Sequence, residues 1–183
     1  ITLNLNNGGT LQLNGGTQSA HVGHGGDYAD NGAGQSDGVA DGNLDGNIRV
    51  NGATTVNLAG SASDDGSAHF GHGGSNHDGN RTGDIDLIVT GNITGTAGSG
   101  NDTYAQFGHG GGDSTGDSTG DITMVASSMF LSRGSGQDAF SKIGHGDQQF
   151  DSDPAGAPAG PDNLSGTIEV LTQFNFNSTG AMV

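Results

Sequence analysis

Ala105-Gln106-Phe107-Gly108-His109-Gly110-Gly111 is one of four versions of a single phrase in this chain. The others are Ala20-His21-Val22-Gly23-His24-Gly25-Gly26, Ala68-His69-Phe70-Gly71-His72-Gly73-Gly74 and Ser141-Lys142-Ile143-Gly144-His145-Gly146-Asp147. A phrase returning every few tens of residues marks a repeat array, in which each unit buries its apolar face against its neighbours. The phrase therefore decides the class of fold before any single residue is considered.

Two short alternating runs precede each phrase. They are Ile1-Thr2-Leu3-Asn4-Leu5 and Leu11-Gln12-Leu13, then Ile48-Arg49-Val50 and Val56-Asn57-Leu58, then Ile85-Asp86-Leu87 and Asn92-Ile93-Thr94. The fourth pair is Ile122-Thr123-Met124 and Met129-Phe130-Leu131; a fifth is Ile168-Glu169-Val170 and Phe174-Asn175-Phe176. Period-two alternation bounded by Gly, Asn, Asp and Ser reads as strand and turn, and helical periodicity is found nowhere. One domain, 1–183, divides into units at 1–45, 46–82, 83–119, 120–165 and an incomplete 166–183, which stops at Ala181-Met182-Val183 as a phrase begins. The expected reading of these limits is a mature product or a window from a longer chain.

Equivalent positions form columns: Ile1, Ile48, Ile85, Ile122 and Ile168; Leu3, Val50, Leu87, Met124 and Val170; and Val22, Phe70, Phe107 and Ile143. A further column holds Leu11, Val56, Ile93 and Phe174, with Met129 or Phe130 filling the fourth unit. The intervening Thr, Arg, Asp, Glu and Gln suit an outward face. The expected fold is all-β, a parallel β-solenoid of three strands per coil and about five coils. The variable, polar loops after the phrases fall at one corner, the side of a solenoid that often meets partners.

Composition limits the function. The 183 residues include 38 glycines, only 30% hydrophobic residues and a formal net charge of −16. Such poverty in apolar residues permits a core one side chain deep but no thick globular one. Glu169 is the sole glutamate, and the other acids are aspartates beside Gly, Asn and Ser, where short side chains support turns. The four basic residues, Arg49, Arg81, Arg133 and Lys142, are scattered, which argues against nucleic acid as a partner. The chain has no cysteine and no apolar run of membrane-spanning length, so no disulfide frame and no transmembrane segment are expected.

Alternation puts His72 on the same inward face as Ala68 and Phe70. His24, His72, His109 and His145 are thus expected to stack as an internal ladder at ~4.8 Å intervals. A buried neutral imidazole donates through one nitrogen and accepts through the other, so each is expected to tie down the Gly-Gly turn after it or to bond its neighbours. A metal array is the sharper alternative, weakened because parallel rings do not converge on one point. His21, His69 and His77 read as exposed. Asp113, Asp117 and Asp121 lie in a glycine-rich loop that could wrap calcium, although it lacks the nonapeptide consensus and the bidentate glutamate of an EF-hand. A solvated acidic turn is the plainer reading. For catalysis, Asp86, Glu169 and Arg49 fall in different units with no consistent partner, so no catalytic residue is assigned and no enzyme is expected.

The alternation of Gly-Asp-Ile-x-Leu/Met strands with Ala-Gln-Phe-Gly-His-Gly-Gly phrases resembles the repeats of large secreted bacterial β-helical exoproteins and adhesins of the filamentous-haemagglutinin type. That resemblance implies a long right-handed β-solenoid, secreted to the bacterial cell surface and used in adhesion or as an extracellular fibre. The expected function is a non-enzymatic structural subunit or segment of such a filament, stacking end to end through Ile1, Leu3, Phe174 and Phe176. Its partner would be itself, or covalently continuing repeats. The alternative is a calcium- or carbohydrate-dependent binding module of a giant adhesin, with surface glycans as partners.

Overall fold

A computed structural model describes residues 1–5, 8–25, 42–75, 77, 79–112, 114–148 and 163–179. The first unit contains β1 (Thr2–Asn4), β2 (Thr10–Asn14), β3 (Ala20–Val22) and β4 (Leu44–Asp45). The second contains β5 (Ile48–Ala59), β6 (Ala68–Phe70) and β7 (Arg81–Thr82). The third has β8 (Ile85–Thr96), β9 (Tyr104–Phe107), β10 (Gly110–Gly112) and β11 (Ser118–Thr119). The fourth has β12 (Ile122–Ser132), β13 (Phe140–Ile143), β14 (Gly146–Gln148) and β15 (Leu164–Ser165), and β16 (Ile168–Thr179) begins the fifth. The described residues are all-β, with no helix among them.

Strands of neighbouring units lie side by side in parallel. The largest sheet runs from β1 and β2, both against β5, through β8 and β12 to β16. The phrase strands form the order β3-β6-β9-β13, the two-residue strands form β4-β7-β11-β15, and β10 pairs with β14. No helix of the described residues is long and apolar enough to cross a membrane.

The apolar columns meet in register. Ile48, Ile85, Ile122 and Ile168 stack, as do Leu3, Val50, Leu87, Met124 and Val170, and Val22, Phe70, Phe107 and Ile143. Most of these side chains are fully buried in one continuous core between the long sheet and the phrase sheet. Polar residues separate them on the long strands, so a low apolar content suffices for a thin core.

Two expectations change. The paired runs of units two to five are not separate strands but single strands of eleven or twelve residues, broken only by register shifts near their middles. Such an irregularity bends a strand without ending its pairing; Gly52, with φ +74, sits at one of these bends. The column through Leu11, Val56 and Ile93 continues into Met129 and then Phe176, not Phe174. In the last strand the register passes from Thr172 to Asn175, so Phe174 falls in the bulge and Phe176 lands on Met129.

Candidate functional site: the stacked ladders and the open edge

Glycine sets up the phrase. Gly71, Gly108 and Gly144 stack so closely that a Cβ on Gly108 would lie 1.9 Å from the Gly144 carbonyl oxygen, and one on Gly71 1.8 Å from that of Gly108. Only hydrogen fits there, and the chain can then turn at once and present the next residue, histidine, along the stack.

The rings of the four phrase histidines stack in a row; His72, His109 and His145 are buried, whereas His24, at the end of the row, is exposed and not internal as expected. Ring centroids of His24–His72, His72–His109 and His109–His145 are 4.8, 4.9 and 4.8 Å apart, with interplanar angles of 25°, 6° and 14°. Each upper ring accepts through Nδ1 from the backbone N–H of the histidine below: His24 to His72 at 3.0 Å, His72 to His109 at 2.9 Å and His109 to His145 at 3.1 Å. The other ring nitrogen, Nε2, faces Gly46 O at 2.6 Å from His72, Gly83 O at 2.7 Å from His109 and Gly120 O at 2.8 Å from His145. A carbonyl only accepts, so Nε2 carries the hydrogen and the neutral tautomer is fixed. Of the two expected partners, the neighbouring histidine of the stack is met through Nδ1, whereas the Nε2 bond does not reach the Gly-Gly turn after the histidine. It reaches the glycine before the long strand of the same unit, and so ties the end of each phrase to that unit's beginning.

Burial pushes the imidazoles of His72, His109 and His145 below their ordinary pKa, with the glycine carbonyls opposing it and neighbouring cationic groups adding to it. For His109 the value falls to about 3. Charging a ring would place a proton on Nδ1, where a backbone N–H already points. These rings are built to stay neutral.

A second ladder lies on the opposite face of the same strands, and here the sequence reading is corrected. His21 and His69 stack at 4.8 Å and 10°. Their Nε2 atoms face Gly71 O at 2.6 Å and Gly108 O at 2.7 Å, and Gln106 takes the same place one unit on, donating to Gly144 O at 3.1 Å. His69 and His77 are buried and His21 is half-buried, not exposed. This face carries further contacts: Ser75 Oγ lies 3.4 Å from Tyr104 Oη, and Tyr104 packs edge-on to His69 and stacks on Phe140. Alternation alone separates two faces but does not say that the outer one will be covered.

Arg81 was also missed. It is fully buried, donating from Nε to Ser118 Oγ at 3.0 Å, from Nη1 to His77 O at 3.3 Å and from Nη2 to Gly116 O at 2.6 Å. Its register partners are Leu44 and Ser118, and Ser118 in turn meets Leu164. Aligning Asn43-Leu44-Asp45-Gly46 with Asn80-Arg81-Thr82-Gly83 would have disclosed that Arg81 occupies an inward leucine position.

The aspartates and asparagines cap the stack. Asn47 Oδ1 accepts from Asp84 N at 2.9 Å, Asp84 Oδ1 from Asp121 N at 3.0 Å and Asp121 Oδ1 from Thr167 N at 2.7 Å. A parallel series runs Asn43 to Asn80 at 3.2 Å, Asn80 to Asp117 at 3.0 Å and Asp117 to Asn163 at 2.9 Å. Asp117 and Asp121, proposed from sequence for calcium, thus each hold a backbone N–H of the next unit; Asp113 lies outside the described residues. Among those residues no group of three or more His, Cys, Asp or Glu is placed to hold a metal ion. Arg49 and Asp86 form an ion pair at 2.6 Å on the outer surface, where solvent screens it.

At β16 the stack meets no further strand among the described residues. Ile168 is 43% exposed where Ile122 below it is 0%, and Phe176 is 44% exposed where Met129 is 0%. Phe174 is 75% exposed. At the opposite edge Ile1 is exposed and Leu3 half-buried. No known family, curated protein or solved structure matches the chain.

Proposed function

We propose that this chain is a non-enzymatic structural protein, a subunit or segment of an extracellular filament or cell-surface fibre. In this reading it is a right-handed parallel β-solenoid of three-sided coils that extends by end-to-end stacking. One observation carries it: positions that are wholly buried inside the stack stand half-open at β16, which among the described residues pairs on one side only. An open strand edge templates further pairing. A head-to-tail contact between copies that does not close on itself grows a fibre.

The polar residues support the same reading. The phrase histidines, Gln106, Asp84, Asp117 and Asp121 bond from one unit to the next or close their own unit, which leaves them engaged in holding a stack. The extracellular setting rests on the resemblance of the repeats to those of bacterial surface exoproteins. Electron microscopy of the purified chain, with and without calcium, tests the proposal. Unbranched fibres are the expected result. Dispersed particles at every concentration would refute non-covalent end-to-end growth, and a calcium requirement would replace the stacking reading with a calcium-dependent module.

A further inference from the structure

Beyond its mid-strand bends the long sheet turns an uncharged surface outward. Residues 10–14 stack in register on 55–59, 92–96, 128–132 and 175–179. Val56, Leu58, Ile93 and Leu131 are buried, so alternation turns the first, third and fifth residues of each stretch away from the core. All of those outward residues except Ser128 are open to solvent in whole or in part. Apart from Ala59 and Phe130, every one is Thr, Ser, Asn or Gln. None of the chain's 20 acidic or 4 basic residues stands among them.

The molecule carries a formal charge of −16, and its acids lie elsewhere, as Asp84, Asp117 and Asp121 do in the caps. Copies meeting by acidic sides repel over the Debye length, about 8 Å at physiological salt. The uncharged face escapes that repulsion. It is also complementary to itself. A two-fold contact sets a patch against its own copy, and amides and hydroxyls both donate and accept, so such rows can bond identical rows. Phe130, 38% exposed in the middle of the face, adds an apolar anchor.

We propose that stacked copies of this chain pair side by side through this face, giving two-stranded fibres. The inference rests on the end-to-end stacking proposed above and names the lateral partner of the stack. Area explains why stacking must come first. Five rungs at ~4.8 Å and five residues at ~3.3 Å give a face of roughly 400 Å². Two single copies would bury about 800 Å², short of the roughly 1,200 Å² at which specific interfaces begin. Each copy added along the stack enlarges the contact in proportion, so pairing follows fibre growth.

Electron cryomicroscopy of filaments of the full chain at about 0.15 M salt, near physiological ionic strength, tests the proposal. Paired filaments are expected, with residues 55–59 and 92–96 at the contact. Asn57→Asp with Asn92→Asp keeps side-chain shape and adds like charges to the face. It should lower the paired fraction at least tenfold while single filaments persist. Ser99→Asp with Ser135→Asp adds the same charge at exposed turn residues off the face and should leave pairing in place. If the first variant melts at a lower temperature than the parent, the contact seen in the parent filaments decides the matter alone. Single filaments in the parent, pairs joined by another face, or equal effects of the two variants would overturn the pairing and leave stacking intact. Single filaments that sediment with cellulose, and cease to in Asn57→Asp with Asn92→Asp, would assign the face to an uncharged polysaccharide instead. Absence of any filament would overturn the stacking itself, and the pairing with it.

Discussion

His109 accepts a 2.9 Å hydrogen bond through Nδ1 from the backbone N–H of His72, while its ring lies 4.9 Å from the His72 ring and within 6° of parallel. One side chain thereby joins two units twice, by a hydrogen bond and by a stacked face. Through Nε2 it also closes its own unit on Gly83.

Removing that side chain should be costly. His109→Ala strips partners from the His72 N–H and the Gly83 carbonyl, and each unsatisfied buried group costs about 1–3 kcal/mol. A total loss of about 2–5 kcal/mol is expected in denaturant unfolding. Gln106 already serves in the adjoining ladder, so His109→Gln should retain a substantial part of that stability. Equal losses in the two variants would contradict the account.

Acid should loosen the ladder. The unfolded chain takes up protons near the ordinary histidine pKa of 6.5, whereas burial holds folded His69, His72, His109 and His145 below it. The unfolded state then binds more protons, so stability is complete above that value and is lost as pH falls toward the folded values. Each histidine contributes a slope of about 1.4 kcal/mol per pH unit within its window. Urea midpoints at about pH 7.5 and 4.5 should differ in that direction, and His109→Gln should flatten the slope. Midpoints unchanged between the two pH values would rule the mechanism out.

Glycine tolerance should vary sharply with position. Gly108, at φ +151, has the Gly144 carbonyl where a Cβ would go, whereas at Gly16 the nearest atom is 3.9 Å away. Gly108→Ala should cost about 2 kcal/mol or more in strain and overlap, and Gly16→Ala should be close to neutral. Thermal melts of the two variants check the contrast.

The caps should tolerate exchange of amide and carboxylate. Asn47 and Asp84 play successive parts in one series, so Asp121→Asn should stay within about 0.5 kcal/mol of the parent, while Asp121→Ala should lose about 1 kcal/mol. Added calcium should leave the melting temperature unchanged. A marked calcium-dependent rise that Asp121→Asn abolishes would return the loop to the status of a metal site.

The open edge is separable from the fold. Phe174 sits in the bulge of β16 with most of its surface in solvent. Phe174→Asp should leave the melting temperature unaltered and abolish end-to-end association in sedimentation velocity. Fibres that persist in this variant would place growth elsewhere.

The strand class and most apolar columns were legible in the chain, because period-two alternation and a returning phrase are local properties that stacking repeats without alteration. The stacked row of phrase histidines was legible for the same reason, since alternation from Phe70 leads directly to His72; that His24 at its end would be exposed was not. Positions that depend on a non-local fact were not. Phe174 and Phe176 exchanged roles because a bulge in β16 is set by pairing against β12, and nothing within Phe174-Asn175-Phe176 itself distinguishes the two rings.

By itself, then, the amino-acid order determined which residues repeat, which face each long strand turns inward, and that the core would be thin. Only the tertiary structure decided that His69, His77 and Gln106 are buried, that Arg81 sits in register with leucines, and that aspartates cap the next unit. The physical reason is that alternation specifies a direction for each side chain, whereas burial and hydrogen-bond partners depend on what another part of the chain, some 37 residues away in many of these contacts, brings to meet it.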